Sequence, residues 1–187
     1  MAIEFVTRVV AALRKLGIPY MVVGSFSSNV YGKPRSTKDA DVVIEIGSRS
    51  ISELAMEMGP DFTCDPQLTF ETVTGTMRYR LAHPATNFTI ELFLLSDEPH
   101  DKERFRRKLS GDIGDGQKTF VPTAEDVIIT KLRWSKQGLR QKDVDDCDSV
   151  IAVQAEHLDV EYIRRWCDAH GTREIFDRLL QKNLPYR

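Results

Sequence analysis

The most constraining stretch of this sequence runs from Tyr20 to Ile46. The apolar run Tyr20-Met-Val-Val ends at Gly24-Ser25, and a second apolar run is introduced by Asp39-Ala40-Asp41. Short apolar runs bounded by turn residues read as buried strands, here Tyr20 to Val23 and Asp41 to Ile46. Between them Phe26 to Tyr31 reads as a short helix, ended by Gly32 and Pro34. A strand, a Gly-Ser turn, a short helix and a strand headed by acids point to a mixed α/β unit.

The flanking segments extend that unit. Ile3, Val6, Val9, Val10, Leu13 and Leu16 form one helical stripe closed by Gly17. Ser50 or Ser52 can cap a helix running to Met58, stopped by Gly59-Pro60. Leu68 to Leu81 is rich in β-branched and aromatic residues around Thr74-Gly75, which predicts a hairpin, and Phe88 to Leu95 predicts another strand. Asp97 to Gly116 is polar, charged and Gly-rich, and reads as a mobile excursion. After Pro122 the texture becomes helical: 123–137, 142–154, 159–170 and 173–182, with Thr123 as cap and Asp126 completing a near capping box. The predicted class is therefore α+β: a core over 1–121 with a small mixed sheet, then a helical region over 122–187.

Bulk composition restricts the partners. With 26 Lys and Arg against 28 Asp and Glu the net charge is −2, so any contact with nucleic acid needs a local basic patch. Lys102 to Lys108 holds five cations and one Glu. A solvated face is favoured there over a phosphate-binding role. Three cysteines, Cys64, Cys147 and Cys167, form no Cys-x-x-Cys, which argues against a disulfide framework or structural zinc and for a reducing compartment. No signal pattern and no apolar run of about 20 residues is present, so a cytoplasmic protein with no membrane partner is expected.

The candidate chemistry lies with acids. Alternate residues of a strand share a face, so Asp39 and Asp41 project together from the head of a strand. Two such carboxylates repel unless a cation sits between them. Mg²⁺ takes one or two carboxylates together with substrate phosphates. Gly24-Ser25, at a strand end and a helix entrance, offers backbone N–H groups to a phosphate. Glu91 interrupts the apolar strand Thr89 to Leu95. It is either an ordinary edge-strand residue or a third acid of the same cluster, since its same-face neighbours Phe93 and Leu95 would solvate it poorly. An Asp-x-Asp alone carries little information: Asp143-Val-Asp145 and Asp146-Cys-Asp148 read as the acidic side of a helix.

The run Val22-Val-Gly-Ser-Phe-Ser-Ser-Asn-Val-Tyr-Gly-Lys-Pro-Arg-Ser-Thr-Lys-Asp-Ala-Asp-Val-Val resembles the first motif of the minimal nucleotidyltransferase family. It is especially similar to the nucleotidyltransferase-like proteins grouped with the abortive-infection toxins of type IV toxin–antitoxin systems. Pro122 to Leu132, Lys142-Asp143-x-x-Asp146 and Leu158 to Trp166 resemble the same family. The resemblance implies a polymerase-β-like core that binds an NTP with Mg²⁺ or Mn²⁺. It implies metal binding by Asp39, Asp41 and Glu91, phosphate binding at Gly24 and Ser25, and nucleotide contacts from Lys131 and Asp143, with Asp146 nearby. Lys131 is equally readable as a solvated helix lysine, and Arg35 and Thr37 are expected to shape the loop before Asp39. Glu91 departs from the Asp common at that position, adding a methylene.

The implied reaction moves an NMP from an NTP to an acceptor hydroxyl on RNA (a tRNA end) or protein, with a small molecule as a wider option. A cognate toxin or antitoxin partner belongs to the same resemblance. The rival is a weakly active or inactive module that binds nucleotide or a partner protein. No P-loop, His-Glu-x-x-His or Gly-x-Ser-x-Gly is present, and His83, His100, His157 and His170 read as scattered surface or structural residues.

Overall fold

The computed structural model describes residues 2–72, 75–138 and 140–183. Helix α1 (Ala2–Lys15) lays Val6, Val9, Val10 and Leu13 into the core and is closed by a turn through Gly17. Strand β1 (Tyr20–Val23) leads directly into α2 (Gly24–Tyr31), so the helix starts at the Gly-Ser turn itself. Strand β2 (Asp39–Ile44) begins at the first acid, two residues before the predicted start. Helix α3 (Ile51–Met58) carries the capping box formed by Ser50 and Glu53. Strands β3 (Thr63–Glu71) and β4 (Thr76–His83) make the expected hairpin, and Thr74 of its turn lies outside the described residues. Strand β5 (Phe88–Leu94) completes a five-stranded sheet in the order β1-β2-β5-β4-β3. Only β2 and β5 pair in parallel, so the sheet is mixed.

The predicted excursion at 97–116 is a correction. It folds into helix α4 (Pro99–Arg107) and strand β6 (Leu109–Asp112), which pairs antiparallel with β7 (Lys118–Val121). Polarity hid this helix because its charges are satisfied internally. His100, Asp101, Arg104 and Phe105 are buried, with Arg104 Nε 2.9 Å from Asp101. The chain ends with α5 (Ala124–Gly138), α6 (Gln141–Gln154), a 3₁₀ turn (Ala155–His157), α7 (Val160–His170) and α8 (Arg173–Asn183). Among the described residues no helix is long and apolar enough to cross a membrane.

The alternation of the strands positions the site. Val22, Val42, Ile44, Ile90, Leu92 and Leu81 point to one face of the sheet and form the main core with α1 and α3. The opposite face carries Asp39, Asp41 and Glu91, then Met21, Val23, Val43 and Phe93, which pack against Phe105 of α4. A further cluster, including Ile128, Leu132, Val150, Ile163 and Phe176, holds the C-terminal helices together.

Candidate functional site

The parallel register places Asp41 of β2 directly beside Glu91 of β5, and Val23 beside Asp41 on the other side. Neighbouring residues in register share a sheet face, so the two carboxylates lie on the same surface as Asp39. Asp41 reaches across to the β1–α2 junction. A Cβ on Gly24 would lie only 1.9 Å from Asp41 Oδ2. Gly24 also has φ of +64°, so both the turn and this close approach require glycine. Burial, followed by the charges of Asp39 and Glu91, pushes the Asp41 carboxyl up to about 7, against the pull of Lys131 and Lys142. Thr37 donates its hydroxyl to Asp39 Oδ1 at 2.5 Å, which orients the first acid.

Glu91 resolves its burial through a partner that strand patterning did not reveal. Arg78, on the same face of β4, donates to Glu91 Oε2 at 2.7 Å while its guanidinium lies over the Phe93 ring. Among the described residues no three His, Cys, Asp or Glu side chains converge as a ready-made metal-ligand set. The residues that fit a divalent ion are Asp39 and Asp41. Their mutual repulsion at a partly exposed strand head is relieved by a cation, and a hard ion needs only one or two carboxylates when phosphates supply the rest.

Behind this pair lies a network of buried charge. Ser25 accepts from Arg35 Nη2 at 2.9 Å, and Arg35 grips Asp146 with two bonds of 2.8 and 2.9 Å. Lys131 is 3% exposed, and its Nζ sits 2.9 Å from Asp143 and 2.8 Å from Asp146. Burial alone would lower the Lys131 pKa, but the two carboxylates outweigh it and raise it. Burial likewise pushes Asp146 upward, and Arg35 and Lys131 overcome it to hold the carboxyl below its usual range. Asp143 and Asp146 therefore do not form the acidic outer side of a helix. Their spacing of three places both on the inner face of α6, where Lys131 and Arg35 neutralise them. This network ties α5 and α6 to the loop before Asp39.

Lys142, which heads the Lys142-Asp143-x-x-Asp146 run, carries no functional signal of its own in the sequence. It is exposed in the first turn of α6, its charge reaches Asp41, and it has no ion-pair partner among the described residues. Nothing in the sequence separates it from other surface lysines; only the docking of α6 brings it near the acids.

The favoured reading of 102–108 as a solvated face fits Lys102 and Arg106, whose side chains are 58% and 72% exposed, while the histidines depart from a scattered arrangement. The cations of 102–108 are engaged: Lys102 with Asp97, Arg104 with Asp101, Arg106 with Glu103, Arg107 with Asp126, and Lys108 over the Phe105 ring. His100 and His170 are not scattered, since both rings meet Trp166, and His100 Nε2 lies 3.1 Å from Asp126 Oδ1. Asp126 also accepts from Tyr162 at 2.7 Å and from Thr123 at 3.0 Å, which fastens α4 to α5 and α7.

No protein-family model matches the chain, and no curated protein sequence matches it. Solved structures do. The solution structure of the antibiotic-resistance factor ANT(2'')-Ia is similar with a TM-score of 0.60 at 11% identity, over 97% of each chain. The crystal structure of ANT(2'')-Ia in complex with adenylyl-2''-tobramycin is similar with a TM-score of 0.58 at 13% identity, over 91% of this chain and 97% of that one. The fold matches that of ANT(2'')-Ia: an α+β core with a small mixed sheet, followed by packed helices.

Proposed function

We propose that this protein is a divalent-metal-dependent nucleotidyltransferase that moves an NMP from an NTP to an acceptor hydroxyl and releases pyrophosphate. The observation that carries this reading is the approach of Asp41 to Gly24, which brings a metal-type carboxylate against a backbone turn suited to phosphates. Asp39 and Asp41 would hold the Mg²⁺ or Mn²⁺ ion. When bound, that ion draws charge from the transferring phosphoryl group and its leaving group. Backbone N–H groups at Gly24 and Ser25, at the head of α2, receive phosphate oxygens.

Lys142 supplies positive charge from solvent, while Lys131 acts from behind by holding Asp143 and Asp146. Glu91, steadied on Oε2 by Arg78, is the acid placed to accept the acceptor's proton. The acceptor oxygen then bonds to the α-phosphorus as the bond to pyrophosphate breaks, with in-line positioning supplying most of the rate.

The resemblance to toxin–antitoxin proteins makes RNA and protein the first acceptors to test. The ANT(2'')-Ia complex adds an aminoglycoside as the small-molecule control. The test is transfer of label from each NTP labelled at the α-phosphate, with Mg²⁺, comparing wild type with Asp41→Asn. Label that appears with wild type alone supports the reading, and equal labelling by both proteins sinks it. The Arg78–Glu91 pair favours one alternative, a module that binds nucleotide without turnover. That alternative predicts metal-dependent NTP binding with no pyrophosphate released for any acceptor.

A further inference from the structure

The sheet order fixes the side from which an acceptor must come. Gly24, after β1, lies on one flank of Asp41, and Glu91 of β5 stands on the other, with β4 and β3 beyond it. An in-line displacement needs the attacking oxygen opposite the leaving group. With the leaving phosphates at the Gly24 turn, the hydroxyl arrives over β5 and β4.

That approach is open and cationic. Arg80 of β4 pairs in register with Glu91, and Arg78 stands on the same face of β4. The apolar patch under Phe105 of α4 takes in Val43 and Phe93 but no residue of β3 or β4. Strand β3 is exposed along most of its length. The two arginines are not equivalent. Arg78 is spent on Glu91 and on the Phe93 ring. Arg80 is exposed with no ion-pair partner among the described residues, and its Nη2 lies 3.5 Å from the Thr89 hydroxyl oxygen. Thr89 is in turn the register neighbour of Asp39. Asp65, opposite Arg80 on β3, accepts instead from the Gln67 N–H at 2.9 Å.

A free guanidinium presents a fork of N–H donors, and the Thr89 hydroxyl adds a donor beside it. Two N–H groups and one O–H match the three terminal oxygens of a phosphate monoester. Neighbouring strands lie about 4.8 Å apart, so a phosphate at Arg80 and a hydroxyl at Glu91 belong to one small molecule. Strand β3 carries no cation, so no track for a polyanion continues past Arg80. An amino-sugar would meet like charge there.

We infer that Arg80, with Thr89, determines acceptor specificity, and that the acceptor is a small phosphorylated alcohol that receives the NMP on a hydroxyl near its phosphate. The acceptor oxygen bonds to the α-phosphorus, pyrophosphate leaves and the proton passes to Glu91, while Arg80 makes and breaks no covalent bond. The acceptor role rests on the nucleotidyltransferase reading, whereas phosphate binding at Arg80 does not need it.

The test has a binding arm and a transfer arm. Amide NMR titrations in EDTA, without NTP, use inorganic phosphate, glycerol phosphate and a pentose phosphate, with glycerol and the pentose as uncharged controls. The phosphorylated probes shift the amides around Arg80 and Thr89, and the controls do not. Arg80→Ala weakens binding by about tenfold or more, as expected for lost charge-assisted hydrogen bonds, and Arg80→Lys keeps an intermediate affinity. Arg106→Ala on α4, whose partner is Glu103, stays within about twofold of wild type. In label transfer from an α-labelled NTP with Mg²⁺, phosphorylated alcohols accept better than their unphosphorylated forms. Arg80→Ala raises the acceptor KM by about tenfold and leaves the NTP KM within about twofold.

No phosphate binding by folded wild type, equal shifts from glycerol and glycerol phosphate, or unchanged affinity in Arg80→Ala would each overturn the inference. So would label passing to RNA, protein or an aminoglycoside in preference to the phosphorylated alcohols. Arg80-dependent phosphate binding with no transfer to any acceptor would leave the phosphate site standing and remove the nucleotidyltransferase reading instead.

Discussion

The carboxylate of Asp41 is held at a cost that replacement by asparagine should reveal. Its folded-state pKa of about 7 lies about three units above the 3.8 of an unperturbed Asp. At about 1.36 kcal/mol per unit, ionised Asp41 opposes folding by up to about 4 kcal/mol in the metal-free protein. Partial exposure lets solvent screen some of this, so about 2 kcal/mol is a working value. The sign follows from proton linkage. Below about pH 4 the group is protonated in both states and costs nothing. Between about 4 and 7 the unfolded chain releases the proton while the folded chain keeps it, so stability drains away as pH rises. Above about 7 the penalty is complete.

Asp41→Asn removes the charge without changing the shape. In EDTA it should match wild type near pH 4 and exceed it at pH 8. The excess should be about 2 kcal/mol, or about 4–8 °C in melting temperature for a chain of this size. Added Mn²⁺ should stabilise wild type and leave the variant unmoved, because the ion repays the repulsion only where the carboxylate remains. Thermal melts at the two pH values, with and without metal, make the measurement. A variant less stable than wild type at pH 8 in EDTA, or an excess identical at both pH values, would refute the reasoning.

Other perturbations separate site from scaffold. Gly24→Ala drives a Cβ into Asp41 and strains a positive φ, so turnover should vanish with a loss of about 1–3 kcal/mol in chemical denaturation. Lys131→Met leaves Asp143 and Asp146 facing each other with their buried cation gone, at a cost of about 3–5 kcal/mol. A stable Lys131→Met protein that lost only nucleotide affinity would instead make Lys131 a direct phosphate ligand. Burial raises the pKa of Asp126, but its bonds from His100 and Tyr162 outweigh this and lower it. That carboxylate therefore contributes stability above about pH 4, lost as pH falls through its folded pKa. Asp126→Asn should flatten the acid side of the pH–stability curve measured by urea denaturation.

Much of this protein is local enough to be read from its sequence. The stripe of α1, the Ser50 and Thr123 caps, the apolar runs of β1, β2 and β5, and the four C-terminal helices all depend on neighbours within a few residues. So does the shared face of Asp39 and Asp41, because strand alternation is a property of the backbone.

What the sequence could not carry is pairing between distant side chains. Arg78 lies 13 residues from Glu91 and Arg35 lies 111 from Asp146, and such bonds have no period or motif. The same blindness made α4 look like a mobile segment, since its charges are satisfied only after folding places His100 against Asp126 and Arg104 against Thr130. It also made Asp143 and Asp146 look like surface acids. A helix pattern says that two residues share a face, whereas burial or exposure of that face depends on what packs against it. Sequence alone determined most of the elements outside 97–121 and where the acids stand on their strands. Tertiary structure decided which charges are spent on one another and which, such as Lys142, stay exposed without an ion-pair partner among the described residues, because electrostatic partnership depends on distance in space and on burial.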